Sequence, residues 1–202
     1  MTTIEFVTVE AADPSAAEAF YAAAFEGLGR VRVRASQEPT SGFRGLTLSL
    51  VVSQPGTVDA LVGSAVDGGA TVVKPAAKSL WGYGGVVQAP DGTIWTLASS
   101  SKKDTGPATR QVDDFVLQLG VTDVAATRQF CADRGLVVAK SYGRTYVQFD
   151  TGPVRLALIK RAALAKNAGV APDGTGSHRL VIGGDAGSFT DPDGFVWEAA
   201  SA

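Results

Sequence analysis

The chain of 202 residues is 45% hydrophobic and 19% charged, and its formal net charge is −2. These values are typical of a compact protein with a hydrophobic core, and they argue against electrostatic binding of nucleic acid. No apolar run reaches the ~18 residues of a membrane span, and the N-terminus lacks the regions of a signal peptide. The single cysteine suits the cytoplasm and excludes an internal disulfide framework. We therefore expect a cytoplasmic protein with neither nucleic acid nor membrane as a partner.

Alternating and helical patterns, separated by glycine and proline, divide the first half of the chain. They predict a strand over 4–10, a helix over about 14–26, strands over 30–35 and 43–52, a helix over 57–69, and a strand over 71–74. Pro75 is expected to end that strand, and an aromatic loop at Trp81 and a hairpin follow it. Three arginines alternate along the 30–35 strand, where they form a solvated face or meet an acidic partner.

The second half begins after a polar linker and repeats the opening pattern. It predicts a strand over 114–121, a helix over 124–134, strands over 137–140, 145–149 and 154–159, a short helix over 160–167, and a strand over 178–182. A second hairpin closes the chain. The linker predicts two domains, over 1–101 and 113–202, joined by 102–112.

Two internal repeats support this division. The turn and strand of Pro90–Trp95 (PDGTIW) recur as Pro192–Trp197 (PDGFVW). Proline presets φ, aspartate bonds the backbone ahead and glycine supplies positive φ, so each copy predicts a tight turn before a strand that carries a Trp. Asp13 and Asp123 each begin a predicted helix with a phenylalanine at the same separation.

The order of these features resembles the vicinal oxygen chelate superfamily, which includes glyoxalases, bleomycin-resistance proteins and extradiol dioxygenases. The residues that carry the resemblance are Asp13, Phe20, Tyr21, Leu28, Gly29, Gly68–Pro75, Trp81–Gly85, Pro90–Trp95, Asp123, Phe130, Gly135, Leu136 and Asp191–Glu198. The resemblance implies an α+β fold of tandem, partly eroded βαβββ modules, whose curved mixed sheets form cups. The WGYGG loop is most similar to the metal-free, binding-type members.

A metal site in this superfamily uses a His in a first strand and a carboxylate in a closing strand. By spacing from the following Asp, the resemblance places His178 at a first-strand position, where the other modules have Phe6 and Val116. It places Glu198 at a closing-strand position, where the first half has Thr96. These two residues are candidate metal ligands, fewer than the three or four that a divalent ion needs. The alternatives are that both residues are structural, or that they pair with each other.

The aromatic residues favour ligand binding over chemistry. Five of them are candidates to line a cup and contact a flat ligand: Trp81, Tyr83, Phe43, Tyr146 and Trp197. Trp95 and Trp197 also suit the cores of their modules, whereas a Gly-rich loop does not force Trp81 and Tyr83 to be buried. Cys131 lies in a predicted helix and is expected to be structural rather than a nucleophile.

No residue is assigned a catalytic role. The leading hypothesis is a metal-independent protein that holds an apolar or aromatic small molecule in a cup, with no cofactor. One alternative is a metal-dependent lyase, isomerase or dioxygenase with a reduced divalent-metal site at His178 and Glu198. Another is a non-catalytic scaffold with closed cups. A homodimer is expected, because members of the superfamily often complete their cups with modules from a second chain, and the alternative is a monomer, because two domains already stand in tandem.

Overall fold

Two large mixed β-sheets, a two-stranded ribbon and four helices make up residues 2–200 of the computed structural model. The predicted domains begin at residue 1 and end at residue 202, and Met1, Ser201 and Ala202 lie outside the described residues. In chain order the elements are β1 (Ile4–Ala11), α1 (Pro14–Ala24), β2 (Val31–Ala35), β3 (Thr40–Gly42), β4 (Leu46–Val51), α2 (Pro55–Asp67), β5 (Thr71–Ser79), β6 (Gly82–Gln88), β7 (Ile94–Ser99), β8 (Asp114–Val121), α3 (Val124–Ala132), β9 (Val137–Tyr142), β10 (Tyr146–Asp150), β11 (Arg155–Lys160), α4 (Arg161–Ala168), β12 (Gly174–Gly176), β13 (Leu180–Gly184), β14 (Phe189–Thr190) and β15 (Val196–Ala199). None of the described helices is both long and apolar enough to cross a membrane.

The larger sheet contains two complete βαβββ modules. Its strand order is β5-β6-β7-β4-β8-β11-β10-β9, so the modules β4-α2-β5-β6-β7 and β8-α3-β9-β10-β11 lie side by side. Their first strands, β4 and β8, pair antiparallel in the middle of the sheet. In each module the fourth strand pairs parallel to the first. The structure confirms the α+β fold that the sequence predicts.

The smaller sheet follows the same plan in reduced form, with the order β14-β15-β13-β1-β2. Again two first strands, β1 and β13, pair antiparallel in the middle, and β2 and β15 flank them in parallel. The module β1-α1-β2 lacks the second and third strands of a complete module. The module β13-β14-β15 lacks the helix and the second strand.

Each sheet draws its strands from both halves of the chain. The complete modules, one from each predicted domain, join across β4 and β8, and the reduced modules join across β1 and β13. The predicted boundary at 102–112 therefore does not separate the sheets. The repeats in the sequence specify each module, but they carry no information about which first strands become neighbours.

The linker is held against α2 by buried Gln54. The side-chain amide of Gln54 donates to the carbonyl oxygen of Pro107 at 2.8 Å, and its oxygen accepts from the N–H of Thr105 at 2.8 Å. Asp104 accepts from the N–H of Gly56 at 2.7 Å. A linker carboxylate thus satisfies a free donor at the N-terminus of α2, and this helix begins at Pro55 rather than at the predicted Thr57.

Two local predictions around the aromatic loop are corrected. β5 continues through Pro75 to Ser79, because β5 is an edge strand with register shifts on both sides of Lys74, where a missing N–H is tolerated. The predicted loop is mostly strand, because β6 begins at Gly82. Only the tip of the β5–β6 hairpin, Leu80 and Trp81, remains a turn.

Candidate functional site

A cleft of about 370 Å³ lies between the β5–β6–β7 edge of the larger sheet and the C-terminal end of α4. Val86 of β6 packs with Leu164 of α4 in a buried cluster, and Val86 is in register with Thr96 of β7. Because side chains alternate across a strand, Thr96 and Val86 face α4, whereas Leu97 and Val87 face the main core. The cleft is therefore on the face of the sheet opposite α2.

Glycines in β6 leave the floor of this cleft without side chains. Gly82 and Gly84 alternate with Tyr83 and so share the face of Val86. A Cβ atom at Gly82 would come within 2.0 Å of the Ser99 carbonyl oxygen, and one at Gly84 within 2.9 Å of the Leu97 carbonyl oxygen. The close approach of β6 to β7 requires glycine at both positions.

Lys74 ties β5 to the end of α4 at one side of the cleft. Its ammonium group donates to the carbonyl oxygens of Lys166 at 3.1 Å and Asn167 at 2.8 Å. A cation at this helix C-terminus is favourable, because the last carbonyl groups carry partial negative charge. Lys78 also borders the cleft, but it is opposite Tyr83 in register, so its exposed side chain is on the α2 face of the sheet.

The structure brings two of the five predicted ligand-binding residues to this cleft. Trp81 lines it from the hairpin tip and is 86% exposed. Tyr83 borders it from β6, but its side chain is on the α2 face, where its hydroxyl donates to Asp59 at 2.8 Å, and this hydrogen bond raises the pKa of Tyr83. Trp81 is therefore the aromatic side chain that is free to contact a ligand.

The other three predicted residues lie elsewhere. Phe43 is buried in the cluster that α4 forms on the sheet, and Tyr146 packs at the edge of that cluster. Trp197 is buried in the smaller sheet, where it stacks on Phe189 with ring centroids 5.2 Å apart. The sequence could not separate these cases, because burial of each aromatic residue depends on α4 and on the sheet pairing.

The donor set on the α4 side of the larger sheet does not fit a divalent metal ion. On the first and fourth strands of the complete modules, Thr47, Ser49, Thr96 and Gln118 on this face are neutral. The carboxylate of Asp114, which begins β8 on the same face, is paired with Arg155 of β11 at 2.9 Å. Thr47 and Gln118 are bonded to each other at 2.8 Å. Transition-metal sites in proteins are built from imidazole, thiolate and carboxylate ligands. Within residues 2–200, no three His, Cys, Asp or Glu residues are close enough to hold a metal.

His178 lies before β13, and backbone oxygens face both of its ring nitrogens. Nδ1 lies 2.6 Å from the carbonyl oxygen of Arg44, and Nε2 lies 3.1 Å from that of Asp193. The ring also stacks on Phe195 with centroids 3.9 Å apart. Neither nitrogen is directed at an open site, so His178 in this conformation is not placed as a metal ligand.

The same contact occurs in the first half, where the residue is an arginine. Arg44, which precedes β4, donates to the carbonyl oxygen of Asp91 in the first Pro-Asp-Gly turn. His178, which precedes β13, approaches the carbonyl oxygen of Asp193 in the second such turn. Arg44 and His178 thus make equivalent contacts that hold each turn to a first strand. Sequence reasoning missed this pair, because the two residue types differ.

Glu198 belongs to an ion cluster on the smaller sheet. The Arg34 guanidinium lies 2.7 Å from a Glu10 oxygen and 3.0 Å from a Glu198 oxygen. Glu198 is in register with Gly183, which is about 10 Å along β13 from Leu180 at ~3.3 Å per residue, and His178 lies before that strand begins. The structure therefore does not bring His178 and Glu198 together, either as ligands of one metal or as a pair.

Cys131 is buried in α3, and desolvation raises the pKa of its thiol to about 12. The thiolate is the reactive form, so we expect iodoacetamide to leave Cys131 unmodified in the folded protein at about pH 8.5, the ordinary thiol pKa. Mass spectrometry should detect one adduct only after unfolding in urea. Because the folded-state pKa is raised, the stability from this thiol is complete below about pH 8.5 and is lost as the pH rises toward 12. Rapid alkylation of the folded protein would contradict a purely structural Cys131.

Solved structures show the fold to which this arrangement corresponds. A crystal structure of a glyoxalase I variant from Zea mays matches with a TM-score of 0.64 and 12% identity, over 98% of this chain and 93% of that chain. Glyoxalase I from Zea mays itself matches with a TM-score of 0.61 and 13% identity, over 98% and 92%. A Bacillus subtilis protein matches with a TM-score of 0.60 and 11% identity, over 98% and 84%.

No family model matches the chain, and no curated protein matches its sequence. At 11–13% identity the similarity concerns the fold alone. The described residues have a glyoxalase-like fold, which is the fold that the sequence resemblance implies.

Proposed function

We propose that this protein binds a flat apolar or aromatic small molecule in the cleft beside Trp81, without a metal ion. The observation that carries the proposal is the exposed Trp81 at the mouth of a cleft with a bare glycine floor. A ligand that enters can stack on the indole and lie flat against β6. The cleft volume of about 370 Å³ is in the usual range for small-molecule sites.

The exposure of Trp81 supports a binding role. A tryptophan that is 86% exposed contributes little to the core, and its large apolar surface remains in water. A ligand that covers this surface removes it from water, and the hydrophobic free energy of that burial then contributes to binding.

Metal independence is supported by the chemistry of the neighbouring side chains. The hydroxyl group of Thr96, which lines the cleft, orients a ligand through hydrogen bonds but is a poor ligand for transition metals. The carboxylates of Glu10 and Glu198 already share the cation of Arg34. The single cysteine fits a cytoplasmic location for such a protein.

A second candidate is a non-catalytic scaffold, and one observation favours it. α4 covers part of the face that would form a cup, and Phe43, Ile159 and Leu164 fill the space beneath it. A scaffold of this kind would need Trp81 only for contact with another protein. It would not bind a small aromatic molecule with defined stoichiometry.

A titration with 1-anilinonaphthalene-8-sulfonate, a flat aromatic anion, tests the proposal. In the presence of a chelator we expect saturable binding of one equivalent, with quenching of Trp81 fluorescence. Trp81→Ala should weaken binding about tenfold, the effect of losing one aromatic contact of ~1.5 kcal/mol. Leu80→Ala is the matched control, because Leu80 is 80% exposed on the same turn but does not line the cleft.

Equal binding by Trp81→Ala and the unsubstituted protein would reject the cleft as the site. No saturable binding by the unsubstituted protein would favour the scaffold. Binding that requires an added divalent ion would reject metal independence.

A further inference from the structure

The reduced module β1-α1-β2 leaves a sheet edge uncovered that the neighbouring complete module covers. β2 pairs in parallel with β1 just as β7 pairs in parallel with β4, with Val7 opposite Val31 and Leu48 opposite Trp95. The other side of β7 is covered by β6. β2 is the last strand of its sheet, so the other side of β2 has no neighbour among the described strands.

The helices of the two modules also correspond. α1 and α2 both begin at a proline, Pro14 and Pro55, and Glu18 stands in α1 where Asp59 stands in α2. α2 packs across β5, β6 and β7, and Asp59 accepts the hydroxyl of Tyr83 from β6. The corresponding space beside α1 is an open groove of about 510 Å³.

Most of the residues that line this groove are apolar. Tyr21 and Ala22 of α1 and Phe25, which follows α1, line one side together with Glu18, and Val31 and Val33 of β2 line the other. Both valines are only partly buried. The groove therefore has the position and the apolar lining to receive the side chains of an added strand.

The main chain of β2 also offers free hydrogen-bonding groups. The carbonyl oxygen of Arg30 accepts from the N–H of Val7, and the N–H of Ser36 donates to the carbonyl oxygen of Ala11. In a parallel pair this pattern directs the N–H and C=O groups of the even-numbered residues of β2 toward β1. The N–H and C=O groups of Val31 and Val33 consequently point away from β1, toward the groove.

Positive charge lies on the opposite face of β2. Arg30, Arg32 and Arg34 alternate with the valines and lie on the other side of the sheet. Arg34 is paired with Glu10 and Glu198, whereas Arg32 is exposed and stacks over Phe6 without a salt bridge among the described residues. A strand added beside β2 would place every second side chain next to these arginines.

We propose that the β2 edge binds an extended segment of a partner protein in which acidic residues alternate with apolar residues. The segment adds as an antiparallel strand, in the position that β6 occupies beside β7. Its apolar side chains enter the groove against α1, and its acidic side chains meet Arg30 and Arg32. Main-chain bonds provide affinity, and the alternating side chains provide specificity.

A second copy of this chain does not match the site. If two β2 strands paired antiparallel, arginines would face arginines across the join, and like charges opposite each other are destabilising. An acidic strand makes the complementary arrangement. Strand-to-strand dimerisation is therefore an outcome that would contradict the proposal.

The test uses a labelled, terminally blocked peptide with the sequence Tyr-Glu-Gly-Glu-Val-Glu. It copies the β6 residues that face α2, namely Tyr83, Gly85 and Val87, and places glutamates at the positions that would lie beside the arginines. Fluorescence anisotropy should show saturable binding to the full chain below about 1 mM, the weak limit of specific association. The same peptide with lysine in place of glutamate should bind at least about tenfold more weakly.

Substitutions at the edge distinguish strand addition from other binding. Val33→Pro removes an outward N–H and leaves the β1–β2 bonds in place, so it should weaken binding about tenfold. Val33→Thr, which keeps the N–H and the shape, should bind like the unsubstituted protein. Arg32→Glu should reverse the preference and favour the lysine peptide.

Four results would overturn the proposal. They are no binding of the glutamate peptide, equal binding of both peptides, unchanged binding by Val33→Pro with a native circular dichroism spectrum, and a concentration-dependent dimer through β2 in light scattering. If Val33→Pro does not fold, the charge swap with Arg32→Glu decides alone. The cleft at Trp81 is separate from this edge, so failure here leaves the proposed function untouched.

Discussion

Replacing Trp95 with alanine is expected to lower the free energy of unfolding by about 4 kcal/mol. Trp95 is fully buried on β7, with its ring centroid 4.5 Å from Phe25 and 5.6 Å from Tyr21, both of the reduced module. It also stacks on Phe115 of β8 at 5.9 Å. One side chain therefore joins the two complete modules and the first reduced module, and its removal leaves a cavity where all three meet.

Urea denaturation followed by circular dichroism measures this effect. Trp81→Ala is the matched control, because Trp81 is the same residue type at an exposed position and should change stability by less than about 0.5 kcal/mol. A loss below about 1 kcal/mol in Trp95→Ala would mean that the modules are not joined through this ring.

Replacing Asp191 with alanine is expected to destabilise the protein by about 3 kcal/mol. This buried carboxylate accepts from the N–H of Phe195 at 3.0 Å and from the indole N–H of Trp197 at 3.3 Å, and it also bonds the N–H of Asp193 at 3.0 Å. Alanine would leave buried donors without an acceptor. Thermal unfolding should show the loss, and Asp191→Asn, which keeps one acceptor oxygen, should lose less.

The pKa of Asp191 determines how the stability difference between the unsubstituted protein and Asp191→Ala changes with pH. Burial raises the pKa of Asp191, although its main-chain hydrogen bonds oppose the rise. A raised folded-state pKa means that the contribution of Asp191 is complete below the unfolded value of about 3.9 and decreases as the pH rises through the folded-state pKa. The stability gap between the unsubstituted protein and Asp191→Ala should thus narrow as the pH rises from about 4. If this stability gap instead widened as the pH rises from about 4, the pKa of Asp191 would not be raised in the folded protein.

The repeated Pro-Asp-Gly turn shows how far sequence can predict this fold. The turns, and the Trp that follows each of them, are predictable because three residue types with distinct backbone effects stand in a row. What each turn holds is not predictable. The Asp91 carboxylate accepts the hydroxyl of Tyr21 on α1 at 2.5 Å, and Asp193 accepts the hydroxyl of Thr127 on α3 at 2.7 Å. The partners differ in type, so only the three-dimensional arrangement reveals the equivalence.

The pairing of the modules is a second limit. Each first strand carries the same alternation of core residues, for example Val7 and Val9 in β1 and Leu48 and Leu50 in β4. Any two such strands could pair by pattern alone, and the sequence-based division at 102–112 followed chain order instead. The structure joins β4 to β8 and β1 to β13. Hydrophobic period identifies a strand, but it does not select the neighbour.

The candidate site was also only partly predictable from the sequence. The unusual glycine content around Trp81 points to a special segment, and both Trp81 and Tyr83 lie at the cleft. The spacing of metal ligands in the superfamily pointed to His178 and Glu198, but the fold places these two residues apart. The spacing failed because the number of residues before an Asp does not specify where a strand begins. β13 begins at Leu180 rather than at His178, and Arg179 has a positive φ of 55° between them.

Metal content measured together with ligand binding tests the central claim most directly. The purified protein should be analysed for bound metals by elemental analysis before and after chelation, and each sample titrated with 1-anilinonaphthalene-8-sulfonate. We expect less than stoichiometric metal and identical binding curves, with the Trp81 signal retained in both samples. One equivalent of a divalent metal, with binding lost on chelation and restored by that metal, would contradict metal-independent binding.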